Sequence, residues 1–201
     1  MLLTHPQADH ALGLIDVLAR YDVRRVLAGP GVQSSTAFRT WRDAVRAEVR
    51  TVETAAQGVA LDLGDGVRLD VLGPDAAEAA DPQINNTGAV VRIRWHDVSF
   101  LLTADIEAKA ERALLTDGVD LHATVLKVGH HGSKTSSSRE FLDAVQPSVS
   151  VVSSGKDNPF GHPAPEVVSR LDDYGPVYNT ADVGPVRFET DGHRWSVSTG
   201  R

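Results

Sequence analysis

The chain has 201 residues, of which 41% are hydrophobic, and its formal net charge is -7 at pH 7. That length allows one sizeable hydrophobic core, so we expect a single domain over residues 1–201. The acidic balance argues against a general nucleic-acid binder, because such proteins usually display clustered Lys and Arg. The absence of cysteine excludes disulfides, iron–sulfur clusters and Cys-ligated zinc, so any metal site must use His and carboxylate side chains.

The apolar stretches of the sequence are short. A helix that crosses a bilayer needs roughly 20 apolar residues. The longest runs, at residues 98–103 and 149–152, fall far below that length. We therefore expect the chain itself to be soluble and to contain no transmembrane segment.

Hydrophobic spacing predicts an alternation of helices and strands along the chain. Capping residues and Gly, Pro or polar turns set the predicted bounds. The predicted helices cover residues 10–21, a segment that begins at Ser34 or Ser35 and ends at Glu48, and residues 106–115, 140–145 and 166–174. The predicted strands cover residues 23–27, 59–63, 67–72, 89–95, 98–103, 123–128, 148–152, 177–178, 186–189 and 195–198.

This order of elements predicts an α/β fold with layered, mixed sheets. Strands that alternate with helices favour parallel pairing, whereas the strands around Gly64-Asp65-Gly66 read as an antiparallel hairpin. In open α/β sheets the loops after the strands converge to form ligand sites. Polar clusters that follow predicted strands are therefore the candidate site residues.

The first cluster is the stretch His5-Pro-Gln7-Ala-Asp9-His10, between an apolar dipeptide and an amphipathic helix. Imidazole and carboxylate groups together suit zinc, manganese or iron. A turn at a helix N-terminus can direct Asp9 and His10 toward one point. The alternative is that Asp9 only caps the helix and that the histidines face solvent.

Asp105 is the second candidate, at the end of the apolar run 100–104. A carboxylate in that place can bridge two cations, but an Asp after a strand commonly caps the following helix instead. Asp105 indicates a metal site only in combination with the other clusters.

The third candidate is the adjacent pair His130 and His131, which glycines flank in a polar loop after the strand 123–128. Flanking glycines let the backbone approach a ligand closely. Ser133 and Lys134 can hydrogen-bond a phosphate or carboxylate, although loops rich in Ser and Thr are usually solvated connectors.

His162 is the last candidate, in a turn between Gly161 and Pro163. A lone histidine there is commonly structural, but convergence with the other histidines at strand ends is the simpler explanation. Three further histidines lie in turn or surface contexts and are expected to be non-functional: His96, His122 and His193.

Taken in order, these motifs resemble the metallo-β-lactamase superfamily, and within it the C-terminal hydrolase-like domain of ComEC-type competence proteins, the DNA-uptake channels of bacteria. The superfamily motif His-x-His-x-Asp-His is similar to residues 5–10. Its Thr-Gly-Asp segment is similar to 103–105, its His-His-Gly-Ser loop to 130–133, its Gly-His-Pro end to 161–163, and its Asn-containing segment to 85–86. Gln7 departs from the motif, because His or Asp, both better metal ligands, is usual there.

The resemblance implies an αββα sandwich that holds two divalent metal ions, zinc or manganese. The usual N-terminal strands, with an Asp-Val-Gly-Gln-Gly-Asp segment, do not precede the first motif, so residues 1–201 are expected to form a single, N-terminally truncated domain. The expected ligands are His5, Asp9, His10, Asp105, one or both of His130 and His131, and His162. The expected catalytic residues are Asp9, His131 and Lys134, and the expected substrate-binding residues are Ser133, Lys134 and Asn158.

The function implied by the resemblance is that of a metal-dependent hydrolase, as a phosphodiesterase or nuclease-like domain related to DNA uptake. Its expected partners are single-stranded DNA or a small phosphodiester, and a membrane channel domain if the chain belongs to a membrane-associated ComEC-type protein. Two alternatives stay open. The acidic composition favours a free-standing hydrolase of a small ester, lactone or phosphodiester, whereas Gln7 and the missing strands favour a non-catalytic accessory domain of a membrane DNA channel.

Overall fold

The computed structural model describes residues 1–49 and 51–200. The helices are α1 (Ala8–Arg20), α2 (Thr36–Glu48), α3 (Ala108–Thr116), α4 (Arg139–Val145), α5 (Pro165–Asp172) and α6 (Thr180–Val183). The strands are β1 (Leu2–Leu3), β2 (Arg25–Ala28), β3 (Thr51–Thr54), β4 (Ala60–Asp62), β5 (Arg68–Gly73), β6 (Val90–Trp95), β7 (Val98–Leu102), β8 (Val125–Lys127), β9 (Val149–Val152), β10 (Val177–Asn179), β11 (Val186–Thr190) and β12 (Trp195–Thr199). Short 3-10 turns occur at Glu78–Ala80, Ile84–Thr87 and Gly129–Gly132.

Two sheets carry the fold. Strands β1, β2 and β3 form a parallel sheet in that order. The larger sheet has the order β10-β9-β8-β7-β6-β5-β4, with parallel pairing from β7 to β10 and antiparallel pairing from β4 to β7. A separate antiparallel ribbon joins β11 and β12. The mixed pairing expected from the order of elements is confirmed.

The hydrophobic side chains divide the molecule into four layers. Successive residues of a strand point to opposite faces of its sheet. One buried cluster lies between the two sheets and includes Leu27, Val71 and Val91. The opposite face of the larger sheet packs against α3, α4 and α5, through residues such as Leu126 and Phe141. Because α1 and α2 cover the smaller sheet in a third cluster, the layers run helix, sheet, sheet, helix, as expected.

Most predicted elements are present within a few residues of their predicted bounds. Ser35 caps α2, since its hydroxyl accepts a hydrogen bond from the Phe38 amide at 3.2 Å. The sequence reading missed β1, β3 and α6. Strand β1 has only two residues, and the side chains of Thr51–Thr54 are mostly exposed, so no apolar run marks β3.

None of the helices in the described residues is long and apolar enough to cross a membrane.

A buried carboxylate ties α3 to the loop before α4. Glu111 is 1% exposed, and its side chain accepts hydrogen bonds from the backbone amides of Ser137 and Ser138, at 2.9 Å for Ser138. Burial raises the pKa of the Glu111 carboxyl, against the opposing effect of these amide donors. Because the same loop carries His130 and His131, Glu111 helps to fix the position of that histidine pair.

The Glu111→Gln variant is expected to unfold more easily than the wild-type chain. A carboxamide offers one acceptor oxygen, so its NH₂ group would face an amide donor, and a buried amide left without a partner costs about 1–3 kcal/mol. Chemical denaturation in urea measures this loss. The exposed Glu140→Gln on α4 is the control, and equal free energies of unfolding for the two variants would contradict the role of Glu111.

Candidate metal centre

The candidate site lies where several strands end at one edge of the two sheets. Strand β1 leads into His5, strand β7 into Asp105 and strand β8 into the His130-His131 loop. The Ala89 amide donates to the Thr4 carbonyl at 3.0 Å and so connects the segments that enter from the two sheets. The convergence predicted from the strand ends is therefore present.

Four side chains meet at the centre of this edge. Asp9, His10, Asp105 and His131 each offer one ligand atom, and these atoms all lie within 4.8 Å of one another. The Asp105 Oδ2 atom is 3.2 Å from His10 Nε2 and 3.3 Å from His131 Nε2. The Asp9 Oδ2 atom is 3.4 Å from His131 Nε2 and 3.7 Å from His10 Nε2. We call these four residues the ligand cluster.

The ligand cluster fits a divalent cation. His10 Nε2, His131 Nε2 and Asp105 Oδ1 are buried and have no hydrogen-bond partner among the described residues. Buried polar atoms nearly always have such a partner, so a convergent set of unsatisfied donor and acceptor atoms needs an explanation. Imidazole nitrogen and carboxylate oxygen are ligands that zinc and manganese accept.

The positions of the two aspartates favour this interpretation over helix capping. Gln7 is the N-cap of α1, and Asp9 lies inside the first turn with its carboxylate next to His131. Glu107 is the N-cap of α3, whereas Asp105 is 1% exposed and contacts His10 and His131. Both carboxylates therefore face imidazoles rather than cap a helix.

The backbone is strained where it directs the ligands. Ala104, His130 and His131 have φ angles of 50°, 47° and 54°, in the left-handed region that non-glycine residues rarely adopt. Such outliers cluster at functional sites, where the surrounding structure holds them in place. The His130 amide donates to the Ala104 carbonyl at 3.1 Å, so the two strained turns support each other.

One hydrogen bond sets the orientation of the His131 ring. Its Nδ1 atom lies 2.7 Å from the Ser153 carbonyl oxygen, so Nδ1 carries a proton and donates it. A histidine that binds metal commonly donates its other ring N–H in this way, which fixes the tautomer. The Nε2 atom is thereby directed into the ligand cluster.

Burial and charge polarise the cluster. Burial acts to raise the pKa of Asp105, but the contacts with His10 and His131 outweigh it and hold that pKa well below its usual range. The carboxylates of Asp105 and Asp9 raise the pKa of His131 to about 10. Burial, together with the charge of His10, lowers the pKa of His5 to about 4. Without a bound cation, His131 therefore carries a positive charge at neutral pH.

The other three predicted ligands surround the cluster. His5 is fully buried, and its Nε2 atom lies 4.0 Å from Asp105 Oδ2. His130 turns toward Glu107, with 3.5 Å between its Nδ1 atom and the Glu107 Oε1 atom. His162 lies beside His130, at 5.7 Å between ring centroids. The geometry thus separates the two adjacent histidines, since His131 joins the ligand cluster and His130 does not.

The predicted substrate-binding residues occupy two loops next to the cluster. The Ser133 hydroxyl is buried and lies 3.0 Å from the Thr135 hydroxyl, whereas Lys134 is exposed. The Asn158 side chain clamps its own turn, because its Oδ1 atom accepts from the His162 amide and its Nδ2 atom donates to the His162 carbonyl. Asn158 therefore positions His162. Substrate contacts of these three residues stay predictions, as do the catalytic roles of Asp9, His131 and Lys134.

The two loops pack directly against each other. Gly132 has φ +80°, and a Cβ atom there would lie 2.6 Å from the Pro163 Cβ atom. Only glycine satisfies both the backbone conformation and this close approach.

Lys127 is a neighbour of the site that the sequence analysis did not single out. Its Nζ atom is buried and has no hydrogen-bond partner within the described part of the chain. Burial lowers the pKa of Lys127, and the nearby carboxylates of Asp105 and Asp9 oppose that change. The sequence feature that could have identified Lys127 is its position inside the apolar run Val125–Val128.

Comparisons with known proteins agree with this geometry. The profile described as the Metallo-beta-lactamase superfamily matches residues 1–156. The chain therefore belongs to the metallo-β-lactamase superfamily. It is related to bacterial competence proteins.

Two relatives illustrate this relationship. ComE operon protein 3 of Bacillus subtilis (strain 168) is 33% identical over 172 residues, which cover 85% of this chain and 22% of the relative. Recombination protein 2 of Haemophilus influenzae is 34% identical over 205 aligned positions, which cover 100% of this chain and 23% of the relative. The chain spans less than a quarter of the length of either relative.

Two solved structures share the fold. The CmlA beta-hydroxylase E377D mutant matches with a TM-score of 0.56 at 17% identity, over 89% of this chain and 42% of that chain. Tm1679, a metal-dependent hydrolase of the beta-lactamase superfamily, matches with a TM-score of 0.52 at 10% identity, over 89% of this chain and 75% of that chain. At these identities the likeness supports the fold alone.

Replacement of His131 by alanine is expected to weaken the binding of zinc or manganese by at least about 100-fold, since even the loss of a group that only orients a ligand costs roughly 10–100-fold. Isothermal titration of the metal-free chain measures the dissociation constant. His122→Ala, at an exposed histidine outside the site, is the matched control and should bind as the wild type does. Equal affinities for the two variants would exclude His131 as a ligand.

Metal binding should also release about one proton at pH 7.5. The pKa of His131 is about 10 in the metal-free chain, and an imidazole must lose the proton on its ligand nitrogen before it can bind a cation. The affinity should therefore rise with pH and level off near pH 10. Titrations in two buffers with different ionisation enthalpies count the released protons, and identical binding enthalpies in both buffers would refute the prediction.

Proposed function

We propose that the chain is a phosphodiesterase or nuclease-like domain that hydrolyses single-stranded DNA or a small phosphodiester, with zinc or manganese in the ligand cluster. One observation carries this proposal: four ligand atoms lie within 4.8 Å of one another, and several of them are buried without a partner among the described residues. The relation to a competence protein and a recombination protein supports a nucleic acid as the substrate.

The exposed fraction of each aspartate in the ligand cluster indicates its role. When bound, the metal ion supplies Lewis-acid activation of water and of the scissile phosphoryl group. Asp105 is 1% exposed and is placed to hold the ion, whereas Asp9 is 57% exposed and is accessible to water and substrate. Asp9 can therefore orient the attacking water and accept its proton. His131 stays fixed through its bond to Ser153.

Two exposed residues in the loops beside the ligand cluster favour a substrate that carries phosphate groups and aromatic rings. Lys134 follows the His130-His131 pair and can bind a phosphate oxygen or the leaving group. Phe160 is 77% exposed and lies against the His162 ring, at 5.9 Å between centroids and 23° between planes. Nucleobases stack on aromatic side chains with little sequence preference. This arrangement favours a single-stranded nucleic acid over a small ester or lactone.

The proposal includes two divalent ions at full occupancy, as the family resemblance implies. His5, His130 and His162 are the histidines available for the second ion. We also propose a membrane channel domain as a partner, on the strength of the resemblance to DNA-uptake channels.

Hydrolysis of bis-p-nitrophenyl phosphate and of single-stranded DNA by the purified chain, with zinc or manganese added, tests the proposal. We expect turnover of both substrates. Asp105→Asn should lower the rate of turnover by about tenfold to 100-fold, because the variant binds the metal ion more weakly. His122→Ala should keep full activity.

Two other outcomes would narrow or overturn the proposal. Turnover of the small diester without any of DNA would restrict the substrate to a small phosphodiester and favour a free-standing hydrolase. A chain that holds no metal and turns over neither substrate would leave only the accessory domain.

A further inference from the structure

A chain of polar contacts runs along one side of the ligand cluster and begins at Gln7. The Gln7 Nε2 atom donates to Asn85 Oδ1 at 2.7 Å, and the Asn85 Nδ2 atom donates to Glu107 Oε1 at 3.1 Å. The same Glu107 oxygen lies 3.5 Å from His130 Nδ1. We call Gln7, Asn85, Glu107 and His130 the Gln7 network.

The Gln7 network engages both ring nitrogens of His130. Its Nδ1 atom faces Glu107 and the Thr135 hydroxyl, and its Nε2 atom lies 3.4 Å from Asn85 Nδ2. His131, the adjacent residue, differs because its Nε2 atom has no hydrogen-bond partner in the described residues. A cation that took His130 as a ligand would first have to break its contact with Glu107 or with Asn85.

Two other imidazoles next to the Gln7 network are not engaged in this way. His5 Nε2 and His162 Nδ1 are both buried and have no hydrogen-bond partner among residues 1–49 and 51–200. Asp105 Oδ2 lies 4.0 Å from His5 Nε2, but residue 7, between His5 and Asp9, is a neutral carboxamide and adds no second anionic ligand there. An amide is a weaker ligand for zinc or manganese than a carboxylate or an imidazole.

We propose that the Gln7 network closes the second cation position, so that the centre holds one divalent ion tightly and takes a second only when the network opens. The inference rests on the proposed function for the first ion, in the ligand cluster. Gln7 weakens binding of the second ion in two ways. Its amide supplies no anionic ligand, and its hydrogen bond to Asn85 keeps His130 turned toward Glu107. The second ion is therefore bound at least about tenfold more weakly than the first.

Manganese binding to the metal-free chain tests this inference without reference to activity. Isothermal titration counts the ions and gives their affinities, and electron paramagnetic resonance separates a single Mn²⁺ from a spin-coupled pair. The wild-type chain should bind one ion tightly and a second at least about tenfold more weakly. Gln7→Asp should bind two ions with similar affinity and give the coupled signal, because it supplies a carboxylate and breaks the network.

Two further variants separate the effects of charge and of the network. Gln7→Leu removes the hydrogen bond without adding a ligand, so it should tighten the second ion less than Gln7→Asp does. Asn85→Ala frees His130 while residue 7 stays Gln. It gives a second test if circular dichroism shows that Gln7→Asp fails to fold.

Two results would overturn the inference. One is a wild-type chain that binds two ions with equal affinity. The other is a set of variants, all folded, whose second ion binds as weakly as in the wild type. Neither result bears on the proposed function, which fails instead if no ion binds or if Asp105→Asn hydrolyses its substrates as fast as the wild type.

Discussion

The arrangement of the whole site depends on one buried carboxylate between two imidazoles. Asp105 is 1% exposed at the end of β7, and it contacts His10 from α1 and His131 from the loop after β8. A buried charge is costly unless it is paired, so these contacts hold together segments that lie far apart in sequence. His5, His10 and Asp9 follow the smaller sheet, whereas Asp105 and His131 follow the larger one. The centre therefore forms only when the two sheets pack together, and a cation bound there stabilises that packing.

The sequence predicted the fold and most positions of the candidate site because both follow from strand ends. Asp9, His10 and Asp105 could be found because each lies next to a helix or strand whose apolar residues are easily recognised in the sequence. The choice between His130 and His131 could not be predicted, since it depends on left-handed backbone angles and on the Ser153 carbonyl. Strand β3 was missed because its side chains are mostly exposed.

Glu111 and the Gln7 network show a second limit of sequence reasoning. Glu111 lies 26 residues before the amide of Ser137 that it binds, and Gln7 lies 78 residues before Asn85. No local pattern signals such a pairing, because Glu111 reads as an ordinary polar residue and the motifs that contain Gln7 and Asn85 do not indicate that these two side chains meet. Both contacts nevertheless help to hold the loop with the adjacent histidines, so contacts between residues distant in sequence shape the centre together with the motif ligands.

The buried side chain of Lys127 lies near two carboxylates of an acidic molecule. The chain carries a net charge of -7, which repels a polyanion at long range. Near the centre, Lys127 offsets part of the charge of Asp9 and Asp105. A divalent cation bound there adds two positive charges, and the proton that His131 loses removes one. Metal occupancy would then make the centre more positive by about one charge while the molecule as a whole stays acidic.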